Sequence, residues 1–326
     1  MARSRFSVKK FLPTVVFLSI SSLAFSGCAL QTDATTANAV CASPGDLSAL
    51  VETTGNFGQL RALDYPRPFK SAGIERSVYQ LKDSTSTEVV EINRPMEIRY
   101  ALYAAKNDLL LEQSGFQDGE STILTSLTDI STPLLNSSLL CAKEGQRTVT
   151  IAPVSSLTLS ETEGLFGLAP EDTLILVADV ERIYPAKAVG IEKNIPSGFP
   201  QIVFAASGQP GLTLLDAEAP KDFMSTTLIE GQGAKIKEGD QLVVKYTSWA
   251  WQKPLKVNYT TWNSGQPEIL TVQNGSINMS EGLKQALVGA SSGSRLLVVI
   301  PPALGNTANA TATSTMIYVI DILGIR

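Results

Sequence analysis

Apolar and polar positions recur in the same order twice along this chain. In the C-terminal half, Asp222 to Glu230 and Gln241 to Tyr246 carry the alternating or unbroken apolar pattern of strands. Gly231-Gln232-Gly233-Ala234 and Glu238-Gly239-Asp240 punctuate them as turns. The stretch from Asn278 to Pro302 then predicts a short helix, a turn and a buried strand. Asn278 is the expected N-cap, with Glu281 three residues on as in a capping box, and Leu283 and Leu287 share a face. Gly289 can close the helix in a left-handed cap. Leu296-Leu297-Val298-Val299-Ile300, stopped by Pro301-Pro302, is too short for a helix and suits a strand. Ser314 to Ile322 closes the series as a last strand.

The first half carries the same marks. Glu97 to Tyr103 alternates as a strand, Leu134 to Cys141 is a short apolar helix candidate, Gly145 to Pro153 is a turn and strand, and Asp172 to Val180 ends the unit. Tyrosine to arginine is 47 residues in the first copy (Tyr100, Arg147) and 49 in the second (Tyr246, Arg295), and arginine to aspartate is 32 and 26 (Asp179, Asp321). The fold class expected is therefore α+β: two domains, each an antiparallel sheet with one short helix. The boundaries expected are 41–185 and 210–326, joined by a linker at 186–209 where Gly and Pro accumulate. Chance similarity between two divergent halves is the alternative.

Composition narrows the chemistry. At 326 residues the length suits two domains plus tails, and a net charge of −5 gives no basic footprint for nucleic acid. The sequence has no histidine, which excludes Ser-His-Asp and Cys-His triads and the usual zinc sites. At the N-terminus, Arg3, Arg5, Lys9 and Lys10 precede an apolar run from Phe11 to Ala24, too short for a membrane span. Phe25-Ser26-Gly27-Cys28 resembles a bacterial lipobox. Residues 1–28 are thus expected to be a lipoprotein signal peptide, with Cys28 the lipidated residue holding the protein outside the cytoplasm on the cell membrane. An ordinary secretory peptide is the alternative, and 29–40 is expected to be a tether. Of the three cysteines, Cys41 and Cys141 then remain, and an oxidising compartment favours pairing them over two separate buried thiols.

The motifs in series resemble the FKBP-type peptidyl-prolyl isomerases. Leu228 to Ala234, Gly239 to Tyr246, Gly282-Leu283, Gly289, Gly293-Ser294-Arg295, Ile300-Pro301-Pro302 and Tyr318 to Leu323 follow the order of that family. The likeness covers roughly 210–326 and, more faintly, 74–183, in the layout of exported tandem FKBP-type lipoproteins of actinobacteria. It implies a sheet wrapped around one helix. It also implies cis/trans isomerisation of X-Pro bonds in polypeptide substrates, with no cofactor, metal or nucleophile: an apolar pocket holds the proline ring and favours the twisted amide.

The pocket residues the resemblance implies are Tyr246, Leu270, Ile277 and Tyr318, with Met279 in place of the family's floor tryptophan. Val257 and Asn258 take the places of its Phe and Asp, or Asn258 and Tyr259 do if the register is set from Trp262. Neither register supplies the carboxylate. Ala303-Leu304-Gly305 lacks the tyrosine that follows the proline pair. The first domain keeps Tyr100 but shows no pocket motif in Asp108 to Glu120, and it is expected to be structural or partner-binding. Trp249, Trp251 and Trp262 could line a rim or plug a sheet edge. A non-catalytic peptide-binding module and a structural envelope lipoprotein are the competing readings.

Overall fold

The computed structural model describes residues 41–326 apart from 43, 118, 129–130, 158–166, 214–217, 277 and 306–313. The expected signal peptide, Cys28, the tether and Ile277 therefore lie outside the described residues. All the described residues fall in one compact unit, 39–326.

Two antiparallel sheets follow one another with matching strand order. The first lobe opens with a hairpin, β1 (Glu52–Thr54) and β2 (Ala62–Asp64). Its sheet comprises β3 (Glu75–Gln80), β4 (Pro95–Ala104), β5 (Leu109–Ser114), β6 (Ile123–Ser126), β7 (Gln146–Pro153) and β8 (Thr173–Ile183), with helix α1 (Pro133–Leu139) before β7. The order is β3-β7-β8-β4-β5, and β6 also pairs with β4. The second lobe holds β9 (Gly190–Glu192), a hairpin of β10 (Gln201–Phe204) and β11 (Pro210–Thr213), then β12 (Met224–Gly231), β13 (Gln241–Ala250), β14 (Lys256–Thr260) and β15 (Glu268–Thr271). Helix α2 (Glu281–Leu287), β16 (Arg295–Ile300) and β17 (Met316–Ile325) complete it. The order is β14-β13-β17-β16-β12-β9, and β15 also pairs with β13.

Each helix is seven residues long, too short to stand on propensity, so capping and packing hold it. Thr132 Oγ1 accepts from Leu135 N–H at 3.1 Å, and Pro133 occupies the first turn of α1. In α2 the cap is Ser280, whose Oγ accepts from Leu283 N–H at 3.1 Å. The expected cap, Asn278, is instead a left-handed residue with φ 63° that turns the chain toward Met279. Gly289, with φ 84°, ends α2 as expected.

The unbroken apolar runs are explained by burial on both faces of the sheet. Leu296, Val298 and Ile300 of β16 face α2, along with Leu242, Val244, Ile320 and Ile322. Leu297 and Val299 face the other way, packing with Trp249, Ile317 and Val319 over Ile202 and Leu212 of the hairpin. Trp249 is thus core on the far side of the sheet, not a rim residue.

The repeated Arg and Asp marks are one buried ion pair per lobe. Arg147 meets Asp179 at 2.6 Å, with both side chains fully buried, and Arg295 meets Asp321 with 5% and 1% exposed. Each arginine also reaches the preceding hairpin. Arg147 donates to the carbonyls of Asn56 and Gln59 (3.2 and 2.9 Å), and Arg295 donates to that of Gly208 at 3.3 Å and lies 4.2 Å over the Phe204 ring. Segment 186–209, expected to be a linker, accordingly carries an edge strand and half of this hairpin. Its apolar Ile202 closes the far face of the sheet, and Ala188 N–H donates to Asp321 at 2.8 Å.

Cys41 and Cys141 are joined by a disulfide, Cα atoms 5.7 Å apart, closing a 100-residue separation. In the chain-entropy account such a loop is worth roughly 4–5 kcal/mol. The two lobes also touch directly. Gln266 exchanges both amide hydrogen bonds with the Ser126 backbone at 2.9 Å, Arg326 donates to Thr122 O at 2.6 Å, and buried Lys245 donates from Nζ to Asn93 O at 2.7 Å.

Candidate functional site

Strand alternation aims the site residues of the second lobe. On β13, positions 242, 244 and 246 point toward α2, and 243 and 245 point away. β17 contributes Tyr318 from the same face, and β15 contributes Leu270. Met279 arrives from the turn before α2. Tyr246, Leu270 and Met279 are buried in one cluster and Tyr318 packs against it, so four of the seven expected pocket residues come together. Val257 and Asn258 do not. A register shift between β13 and β14 sets Trp249 opposite Val257 and Ser248 opposite Tyr259. Val257 is left 55% exposed on the sheet edge, and Asn258 only approaches Ser248 Oγ at 3.4 Å.

Two further groups enter the site: Tyr259, which the register set from Trp262 offers, and Glu268, which was not chosen from the sequence. Tyr259 stacks against Tyr246 with ring centroids 5.4 Å apart, and Tyr318 lies 6.2 Å away on the other side. Glu268, opposite Val244 in the β13–β15 register, accepts from Tyr246 Oη at 3.1 Å and from Tyr259 Oη. The carboxylate missing from β14 is therefore present, delivered by the neighbouring strand. Period-2 alternation from Leu270 would have found it, since residues two apart share a face.

The electrostatics make this trio a set of donors. Burial, then the Glu268 charge and hydrogen bond, push the Tyr246 hydroxyl far above its ordinary value. The hydrogen bond to Glu268, with burial second, raises Tyr259 to about 12, and burial raises Tyr318. All three hydroxyls stay protonated near neutrality, so the site has no tyrosinate base. The protons of Tyr246 and Tyr259 are given to Glu268, which leaves the Tyr318 hydroxyl to donate to a carbonyl. Among the described residues no group of three or more His, Cys, Asp or Glu side chains could hold a metal ion.

The first lobe, whose sequence shows no pocket motif in Asp108 to Glu120, has a half-open hollow of about 460 Å³ at the corresponding place. Register defines the correspondence. Tyr100 lies opposite Ala178 as Tyr246 lies opposite Ile320, which sets Leu176 in the place of Tyr318. Ile123 takes the place of Glu268 and Glu112 that of Tyr259. Ile98, Leu102, Leu134 and Leu135 supply further apolar wall, and Tyr100 Oη donates to Glu112.

Residues 232–323 match the family model of FKBP-type peptidyl-prolyl cis-trans isomerases. This FKBP-type stretch runs from the turn before β13 into β17 and takes in every described member of the tyrosine cluster. It covers under a third of the chain. Human FK506-binding protein 15 is 28% identical over 80 residues, which is 24% of this chain and 7% of that protein. Among solved structures, the three FKBP domains of wheat FKBP73 align over 78% of this chain and 95% of theirs, at 16% identity and a TM-score of 0.32. FkpA from Escherichia coli aligns over 38% of this chain and 51% of its own, at 18% identity and a TM-score of 0.28.

Proposed function

We propose that the second lobe is a peptidyl-prolyl cis-trans isomerase acting on proline-containing polypeptides, and that each lobe has an FKBP-like fold. The observation that carries this reading is the convergence of Tyr246, Leu270, Met279 and Tyr318 on one apolar cluster within the FKBP-type stretch. A prolyl amide seated against that cluster and withdrawn from water loses part of the resonance that resists rotation, and no nucleophile is needed. The neutral Tyr318 hydroxyl, whose proton is not given to Glu268, can orient a flanking carbonyl. On this reading the chain is anchored outside the cytoplasm through lipidated Cys28, and its substrates are exported polypeptides that are still folding.

A second reading is a peptide-binding module without catalysis. It is favoured by Glu268, whose carboxylate brings a charge beside a contact surface that catalysis needs dry. A cis/trans exchange assay on a proline tetrapeptide separates the two. The expected result is acceleration by the full chain, falling by at least about tenfold in Tyr318→Ala, roughly the 1.4 kcal/mol of one lost contact. Binding without acceleration would leave only the binding module.

A further inference from the structure

The first-lobe hollow lies outside the FKBP-type stretch, and nothing above gives it a role. Its volume of about 460 Å³ falls within the range of about 300–1,000 Å³ typical of ligand sites. Its walls are half-buried aliphatic side chains, Leu102, Ile123 and Leu135 among them, so apolar surface there still faces solvent. Two polar features bound it. Glu112 is exposed at the mouth, held by Tyr100 Oη, and no cation among the described residues pairs with it. β5, which bears Glu112, is an edge strand with one row of backbone groups unpaired and with Leu109 and Leu110 exposed at 39% and 38%.

We propose that this hollow is a second binding site, taking an aliphatic side chain of an extended polypeptide segment that carries a lysine or arginine beside it. An unpaired edge strand next to an apolar recess suits an extended chain, which can add backbone hydrogen bonds while seating a side chain. The carboxylate at the mouth repels the headgroup of a fatty acid or phospholipid and attracts a cationic neighbour. A tyrosine-held carboxylate recurs in the second lobe, where Glu268 comes from a different strand, so the pairing recurs although its position in the sheet does not. Proline is not required, and the proposal stands apart from the isomerase reading.

The test is a methyl-detected NMR titration of the full chain, following the Ile98 and Ile123 methyl groups. Three probes are used: a blocked proline-free peptide with one leucine beside a lysine, the same peptide with glutamate for lysine, and octanoate. The lysine peptide is expected to shift both methyl groups saturably and to bind about tenfold more tightly than the glutamate peptide, since one rim charge attracts where it otherwise repels. Glu112→Gln, at an exposed position, should bring the two peptides within about twofold of each other, again because only the rim charge is lost. Leu135→Trp, with an unchanged circular dichroism spectrum, should abolish the shifts. No shift at Ile123, equal binding of both peptides to the wild-type chain, or shifts from octanoate alone would each overturn the proposal.

Discussion

The two lobes place the same tyrosine on the same strand and then surround it differently. Around Tyr246 stand two further tyrosines and Glu268; around Tyr100 stand Leu176, Ile123 and Glu112. The acid has changed strands: it sits on β15 in the second lobe and on β5 in the first. The helix contact has changed too. Gly282 of α2 lies so near Ile300 that a Cβ would come within 2.6 Å of its Cγ2, whereas at the corresponding contact in the first lobe Leu134 packs with Ala152. One large and one small residue fill the gap in each lobe, in opposite order. Close packing preserves the summed volume and leaves open which element supplies it.

The largest effects should come from the feature the lobes share. Removing one partner of a buried ion pair strands the other charge, so Arg147→Met and Arg295→Met should each cost about 3–5 kcal/mol in urea unfolding. Arg147 also holds the carbonyls of Asn56 and Gln59, while Arg295 holds that of Gly208, so the first-lobe variant is expected to lose more. Equal losses would mean that the hairpin contacts add nothing.

The helix contact predicts a rescue. Gly282→Leu alone should cost about 1–3 kcal/mol by overpacking, and Ile300→Ala should lose about 2–5 kcal/mol by leaving a cavity. Combined, they import the first lobe's solution, so the double variant should be more stable than the sum of the two losses requires. Simple additivity in the unfolding midpoints would refute the exchange.

A smaller effect distinguishes the lobes by pH. Lys245 and Arg99 occupy matching positions, opposite Asp321 and Asp179. Burial lowers the Lys245 ammonium to about 8 from 10.5, with Asp321 opposing the shift. Between those values the unfolded chain holds the extra proton, so the Lys245 contribution to stability should rise with pH from about 8, approaching about 1.4 kcal/mol per pH unit. Toward pH 10 the raised tyrosines, which ionise first in the unfolded chain, oppose that rise. The cost of the buried charge is fully present below pH 8. Lys245→Met should flatten that rise, and Arg99→Met should leave it in place, as read by urea midpoints at stepped pH.

How much of this was legible beforehand follows the range of the interactions. Strands β4, β7, β8, β12, β13, β16 and β17, both helices and the doubled order were readable because they rest on local period and punctuation: Leu283 and Leu287 one turn apart, Val244 and Tyr246 two residues apart. The cap moved from Asn278 to Ser280 because two residues offered the same side-chain chemistry and the turn geometry chose between them. The pairing of Cys41 and Cys141 was readable from counting cysteines. Two registers were open for β14; a one-residue shift against β13 turns Val257 away and brings Tyr259 to the site, in keeping with the register set from Trp262 and not with the one that placed Val257 there.

Amino-acid order alone determined that this chain forms two sheet-and-helix units with no histidine chemistry, since hydrophobic period and composition act within a few residues. Only the tertiary structure decided that Glu268 meets Tyr246 and Tyr259, that the β10–β11 hairpin sits over Arg295, and that the first lobe holds an open hollow beside Tyr100. Those outcomes depend on how strands far apart in sequence align, and on which of two facing positions carries the larger side chain.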